Sequence, residues 1–342
     1  MNRTVVEYFE HYSLSHITQF INLYLTQTNF GRMIIGKDDL ILIKPNLVTP
    51  AHPESCITTH PILIEAIVVN LIKRGYRNIG IGDSGIEMET NKFSVCGIYH
   101  ICEKYGCKPL DFDSDKMSYI ESAENKLLKK LPVPECVTRA KVIINVPKAK
   151  THQGYFYTGA VKNLYGLIYG NCKREIHKIA QNKDVFEDII ADIWKTFSPK
   201  INIMDSIDTM DGRGPISGNR KHLGMVLAGD SALALDIAFL KKMGTSETEI
   251  GYIRKCIGIT NDLVSCVNDP RDRSTFSWDW PSNFISQYPV IINEKCRKCS
   301  ACERICPQNA ISFDGLRFYF NYDRCIKCYC CLEACRTGAI IR

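Results

Sequence analysis

The sequence predicts an α/β fold over residues 1–285, a mostly parallel sheet with helices on both faces, joined to a small C-terminal α+β unit over residues 286–342. Three observations predict it. Short apolar runs ending in polar or turn residues alternate with longer stretches of helical periodicity, the pattern of buried parallel strands connected by helices. Polar residues recur just past those runs, where an open parallel sheet forms its ligand crevice. The C-terminal unit carries eight cysteines in a repeated spacing that apolar packing does not require.

The first strand is read at "LILIK", 40–44, and is followed by the helical stretch "PILIEAIVVNLIKRG" and a second strand at "NIGIG", 78–82. "KVIINV" at 141–146 gives a third strand, "INIM" at 201–204 a fourth and "LGMVLA" at 223–228 a fifth, all expected to be parallel. "VFEDIIADIWKTF" and "SALALDIAFLKKM" have helical periodicity and fall between or after these runs. "DPRDRSTFSWDWPSN", 269–283, is polar and turn-rich, a linker long enough to fold the tail back over the sheet edge. Trp278, Trp280, Tyr319 and Tyr322 are the aromatic residues expected to pack that junction.

Shifting the tail by 29 residues superposes Cys296, Cys299, Cys302 and Cys306 on Cys325, Cys328, Cys331 and Cys335. Each half reads C-x2-C-x2-C-x3-C, whereas zinc usually takes two separated pairs of ligands. Three cysteines at such intervals wrap one face of a cubane, and the fourth ligates the other cluster in two-cluster ferredoxins. Cys296, Cys299, Cys302 and Cys335 are therefore assigned to one [4Fe–4S] cluster, and Cys325, Cys328, Cys331 and Cys306 to a second. The tail resembles the bacterial two-cluster ferredoxins. Pro307 follows the first quartet as that family expects, while Arg336 replaces the second proline, a cation expected to raise the potential of the cluster beside it. The remaining nine of seventeen cysteines, Cys330 included, are read as small buried hydrophobes or tolerated thiols.

In the larger part the polar residues after the strands are Lys44 and Asn46, then Asp83, then Lys148, Lys150 and His152, then Asp205, Asp208 and Asp211. The stretch "PKAKTHQGYFYTGAVKNLYGLIYG", 147–170, adds Lys162 and Asn163 and reads as a long functional loop followed by a short helix; His177 follows in "CKREIHKIA". Any one of these is an ordinary loop charge or helix cap. Their recurrence at one end of successive strands points to a shared site. His152, Lys162, His177, Asp83 and Asp205 are the candidate catalytic residues, and Lys44, Asn46, Lys148, Asn163 and Asp211 the candidate substrate-binding residues. The glycines of "GIGDSG" and "DGRGPISG" would let backbone amides approach a ligand, although neither is a dinucleotide fingerprint or a P-loop.

"KPNLV", "GDSG", "PKAKTH", "TGAVKNLYG" and "MDGRGPISG" resemble the family called domain of unknown function 362, over about residues 35–285. That resemblance implies iron–sulfur binding and redox activity, without naming a reaction. The order His152, Lys162, His177 also resembles the lactate-racemase family, in which a lysine holds a nickel-pincer nucleotide and histidines serve as metal ligand or acid/base.

Composition narrows the function. With 43 Lys and Arg against 37 Asp and Glu, the net charge of +6 is too mild and too evenly spread for a nucleic-acid stripe, and it suits an anionic substrate. The amino-terminal stretch has no signal-peptide core, and the longest greasy segment is broken by Glu65 and Asn70, so a cytoplasmic protein without membrane or nucleic-acid partners is expected. The expected function is an iron–sulfur oxidoreductase, a reductase taking electrons from a ferredoxin- or flavodoxin-like donor to a small substrate. The alternatives are a non-catalytic electron-transfer or cluster-delivery protein, and a metal-cofactor isomerase or transferase with structural clusters. No motif supports a flavin or a further metal, and thiolate-held cubanes imply oxygen sensitivity and anaerobic handling.

Overall fold

The structure, a computed structural model, describes residues 4–28, 30, 33, 35–85, 92–180, 182–260 and 288–342. The expected linker at 269–283, with Trp278 and Trp280, lies outside the described residues. The larger part contains strands β1 (Thr4–Tyr8), β2 (Ile41–Pro45), β3 (Ile79–Asp83), β4 (Lys108–Asp111), β5 (Met117–Glu121), β6 (Lys130–Pro134), β7 (Val142–Val146), β8 (Lys148–His152), β9 (Phe156–Thr158), β10 (Ile201–Asp211) and β11 (Asn219–Gly229). Nine of them form one sheet, in which β1-β11-β10-β7-β2-β3-β4 lie side by side and β8 pairs with β10 and β9; β5 and β6 form a separate hairpin.

The run from β10 through β7, β2 and β3 to β4 is parallel. The short apolar runs form β2, β3, β7 and β10 because each is largely buried on both faces and its successive residues serve opposite sides, whereas β4 is the mostly exposed edge strand. Ile41 and Ile43 enter a core closed by the helices Leu14–Gln27 and Pro61–Lys73, while Leu42 enters a second core beneath Lys183–Phe197 and Ala232–Lys242. Ile203 and Met204 divide in the same way. His60 and Ser231 cap two of these helices, each side chain accepting a backbone N–H two or three residues on.

Two expectations are corrected. β11 runs antiparallel to β10, because only residues 212–218 join them and a parallel crossover needs a dozen residues or more. The segment 147–170 opens as the hairpin β8–β9 rather than as a loop, with His152 opposite Phe156 and Lys150 opposite Thr158. Lys148 and Lys150 are 0% and 2% exposed in β8, so their charge concealed a buried strand.

In the tail, helix Ala301–Ile305 packs on helix Cys330–Ala334, and two small antiparallel pairs close the unit. Its core is Ala310, Ile311, Phe318, Tyr329, Leu332 and Ile340. No helix among the described residues is long and apolar enough to cross a membrane.

Candidate active site and cluster sites

Two hollows in the tail sort the cysteines. One is lined by Cys296, Cys299, Cys302 and Cys335 with Phe318, Ala339 and Ile340; the other by Cys306, Cys325, Cys328 and Cys331 with Ala310, Ile311 and Phe320. Each quartet combines three closely spaced thiols with the distal cysteine of the other repeat, the crossed pattern of two-cluster ferredoxins, in an otherwise largely apolar surround. Four converging thiolates fit a [4Fe–4S] cluster. Cys330 lines neither hollow.

A cavity of about 560 Å³ lies where the tail meets the larger part, a size suited to a small-molecule ligand. One wall comes from the carboxyl ends of β2 and β3 and the segment after β9: Lys44, Asn46, Asp83, Thr158, Lys162, Asn163 and Tyr165. The helix Gly170–Ile179 adds Lys173, Arg174 and His177, and the tail supplies Ala301, Arg304, Ile305, Cys330 and Glu333. Of the ten candidate residues, Lys44, Asn46, Asp83, Lys162, Asn163 and His177 thus line one cavity.

Within that wall, the Lys44 ammonium lies 2.9 Å from an Asp83 carboxylate oxygen and donates at 3.2 Å to Asn163 Oδ1, which also accepts from Asn46 Nδ2 at 3.2 Å. Asn163 Nδ2 donates to the Lys44 carbonyl and to Asn145 Oδ1. Gly166 permits this closeness, because a Cβ there would collide with both the Asp83 carboxylate and the Lys44 side chain. Its carbonyl accepts from Ser84 Oγ at 2.8 Å.

His152 reaches the cavity through a partner. Its Nδ1 accepts from the N–H groups of Gly154 and Tyr155 at 3.0 and 3.2 Å, so the proton sits on Nε2, which donates to Glu333 Oε1 at 2.6 Å. Burial, reinforced by the Lys162 charge, drives the imidazole pKa down to about 4 despite Glu333. Burial opposes ionisation of Glu333, yet Lys162 and His152 hold its carboxyl well below the usual range. Burial likewise lowers Lys162. It lowers Lys173 to about 8, with Asp83 and Asp113 opposing, and His177 to about 4. His177 stacks on Phe186 at 4.5 Å between ring centres, and its Nδ1 is buried without a hydrogen-bond partner.

Lys148, Asp205 and Asp211 stand apart. Lys148 and Asp205 form a buried ion pair at 2.9 Å, with Asp205 also accepting from Tyr12 Oη and from the His60 N–H. Asp211 pairs with Lys221 at 3.6 Å. None of the three lines the cavity. β10 runs on to Asp211 because it pairs with β8 on one side and β11 on the other. Asp205 and Asp208 are consequently interior strand residues rather than residues past a strand end.

The tail docks through polar and close contacts. Arg174 donates to the Cys306 carbonyl at 3.1 Å and to Asn309 Oδ1 at 2.8 Å, Arg342 donates to the Gln153 carbonyl, and a Cβ on Gly154 would press on the Tyr329 ring. Tyr322 instead bonds the Pro289 carbonyl and stacks on Phe320, so this expected junction aromatic packs within the tail, while Tyr319 is 49% exposed. Sequence reasoning missed Lys173, Arg174, Cys330 and Glu333 as cavity residues. The available signal for the last two was their i, i+3 spacing on a short helix, outside the cluster pattern.

This is an α/β protein carrying a ferredoxin-type tail with two [4Fe–4S] clusters. The chain belongs to the family described as Domain of unknown function (DUF362), whose model matches residues 41–241, and a 4Fe-4S dicluster domain matches residues 295–339. It is 27% identical over 258 residues to the thylakoid-associated protein sll1697 of Synechocystis, covering 71% of this chain and 76% of that protein. The electron transport protein HydN of Escherichia coli is 33% identical over 94 residues, 25% of this chain and 54% of HydN. The pyruvate synthase subunit PorD of Methanocaldococcus jannaschii is 40% identical over 55 residues, 16% of this chain and 64% of PorD. Among solved structures, the lactate racemase apoprotein from Thermoanaerobacterium thermosaccharolyticum matches 67% of this chain and 54% of its own, with 15% identity and a TM-score of 0.44. A likeness that slight carries no argument about function.

Proposed function

We propose that the protein is an iron–sulfur reductase that draws electrons from a carrier protein and delivers them, through its two clusters, to a small anion in the cavity. The observation that carries this reading is the shared wall: Cys330 and Glu333 of the tail face the same cavity as Lys44, Asp83, Lys162 and His177. A carrier or cluster-delivery protein needs no cavity lined by so many charged side chains against its tail. Bound clusters supply single electrons; two of them match the two-electron reduction of a double bond, which also takes up two protons.

The chain's residues divide the remaining work. Lys44, held by Asp83 and Asn163, and the Asn46 amide bind the anion, with Arg174 and Arg304 lining the same cavity. The imidazoles of His152 and His177 are neutral at pH 7, so the ammonium groups of Lys162 and Lys173, made more acidic by burial, are the better proton donors. Glu333 orients His152 through its hydrogen bond, and its charge opposes the effect of burial on the Lys162 ammonium. Electrons enter on the side of Cys299, the exposed ligand of the first set, where Lys295, Arg297 and Lys298 are exposed and suit an acidic ferredoxin- or flavodoxin-like donor.

The test is anaerobic reoxidation of the dithionite-reduced holoprotein by a panel of small unsaturated carboxylates and phosphorylated acids. A substrate accelerates bleaching recovery, and Lys162→Met slows that reaction by about a hundredfold while reduction by dithionite is unchanged. If no compound gives an acceleration sensitive to Lys162, while reoxidation by a partner protein is fast, the carrier function replaces this one.

A further inference from the structure

Cys330 is the one tail cysteine, among the described residues, outside both cluster hollows. It faces the cavity from the helix Cys330–Ala334, opposite His177 of the helix Gly170–Ile179. Ligand atoms of His177, Cys330 and Cys328 all lie within 4.8 Å of one another. A tetrahedral ion with metal–sulfur bonds of about 2.3 Å and metal–nitrogen bonds of about 2.0–2.1 Å separates its donors by about 3.5–3.8 Å, so a contraction of about 1 Å closes the set.

The histidine ring is held in place. Its ring is pinned flat against Phe186 and edge-on to Tyr165, and its Nδ1 is buried with no hydrogen-bond partner. An unsatisfied nitrogen in that position costs free energy unless something binds it. Cys328 belongs to the second cysteine quartet, and thiolate sulfur can bridge two metals. Cys330 and His177 have no part in that quartet and are free to hold a separate ion.

We propose that His177 and Cys330, with the Cys328 thiolate as a bridge to the second cluster site, form an additional site for one thiophilic divalent metal ion of the zinc, nickel or iron(II) class. Two thiolates and an imidazole select such ions over magnesium or calcium. Three protein ligands leave a fourth position open, the arrangement of catalytic rather than structural sites, and here it opens into the cavity. The site deepens the reductase reading: it places a Lewis acid beside the substrate anion, on a sulfur shared with the electron-supplying cluster.

Metal content tests it apart from turnover. Holoprotein with both clusters is equilibrated anaerobically with a small excess of Zn(II) or, separately, Co(II), desalted and analysed. The expected result is one equivalent of added metal beyond about eight irons. In Cys330→Ala and His177→Ala the added metal falls at least about tenfold while iron stays at about eight. His177→Phe, which keeps a ring against Phe186, behaves like His177→Ala if the nitrogen is the ligand. In the Co(II)-loaded, reduced protein the paramagnetic ion perturbs the electron paramagnetic resonance of one cluster only, and not in the variants. No added metal, metal retained by both single variants as on an adventitious surface, or loss of about four irons in Cys330→Ala would each overturn the site. Because none of these readouts uses substrate, their failure leaves the reductase reading to its own test.

Discussion

The two halves of the duplicated tail differ most where they meet the larger part. Under the 29-residue shift, Ala301 corresponds to Cys330 and Arg304 to Glu333, and all four line the same cavity. The first half offers the cavity a methyl group and an exposed guanidinium, the second a thiol and a carboxylate tied to His152. The cluster ligands differ in the same sense. Cys299 is exposed and Cys296, Cys302 and Cys335 half-buried, whereas Cys306 and Cys331 of the other quartet are buried. Both halves reach the cavity, but with different chemistry: the second supplies the thiol and the carboxylate, the first a methyl group and a guanidinium.

The largest effect expected from this asymmetry is on metal content and delivery. Cys302→Ala and Cys331→Ala should each lower iron from about eight to about four per chain. Cys331→Ala should also abolish reoxidation by the cavity substrate, whereas Cys302→Ala should retain it with a small-molecule reductant and lose it with a protein donor. Equal losses in both assays would break the comparison.

Next in size is the carboxylate. Glu333→Gln removes a charge-assisted hydrogen bond to His152 and should destabilise tail docking by about 2 kcal/mol, read as a lower anaerobic melting temperature. Arg304→Gln, at the matching position, should leave melting nearly unchanged. The pH dependence has a definite sign. His152 and His177 titrate at about 4 in the folded protein and at about 6.5 when unfolded, so between those values the unfolded chain binds more protons. Their contribution is fully present above about pH 6.5 and is lost as pH falls toward 4. Anaerobic melting at pH 7.5 and 5.5 should show this loss, and His177→Phe should reduce it by about half.

A smaller effect concerns electron entry. Charge reversal at Lys295 and Arg297 should slow reduction by an acidic donor protein by about tenfold at low ionic strength and less at high salt, with dithionite unaffected. The smallest is electronic: Arg336→Pro should shift the potential of the neighbouring cluster to a more negative value, measured by redox titration.

Two lysine–aspartate pairs show how far the site was legible. Lys44–Asp83 and Lys148–Asp205 have the same separation, 2.9 Å, the same near-complete burial, and the same sequence signature of a polar residue after an apolar run. The first lines the cavity. The second braces Tyr12 and the start of the helix Pro61–Lys73. Breaking a buried pair costs about 3–5 kcal/mol in either place, so stability alone would not distinguish them.

By itself the sequence determined what is local or periodic: the buried strands β2, β3, β7, β10 and β11 and the helices between and after them, because burial on two faces writes itself as apolar runs, and the two cysteine quartets, because their spacing is a chain-local geometry. It also marked Lys44, Asn46 and Asp83, since parallel strands bring their carboxyl ends to one edge, and Lys162, Asn163 and His177, which the dense polar and glycine-rich stretch and the segment just after it singled out although they stand on helices. Tertiary structure alone decided the rest. The antiparallel course of β11 and the extension of β10 depend on which neighbours pair with them. The place of Glu333 against His152, 181 residues away, and of Cys330 against His177 depends on how the tail docks, and no periodicity within either segment encodes a contact between surfaces so distant along the chain.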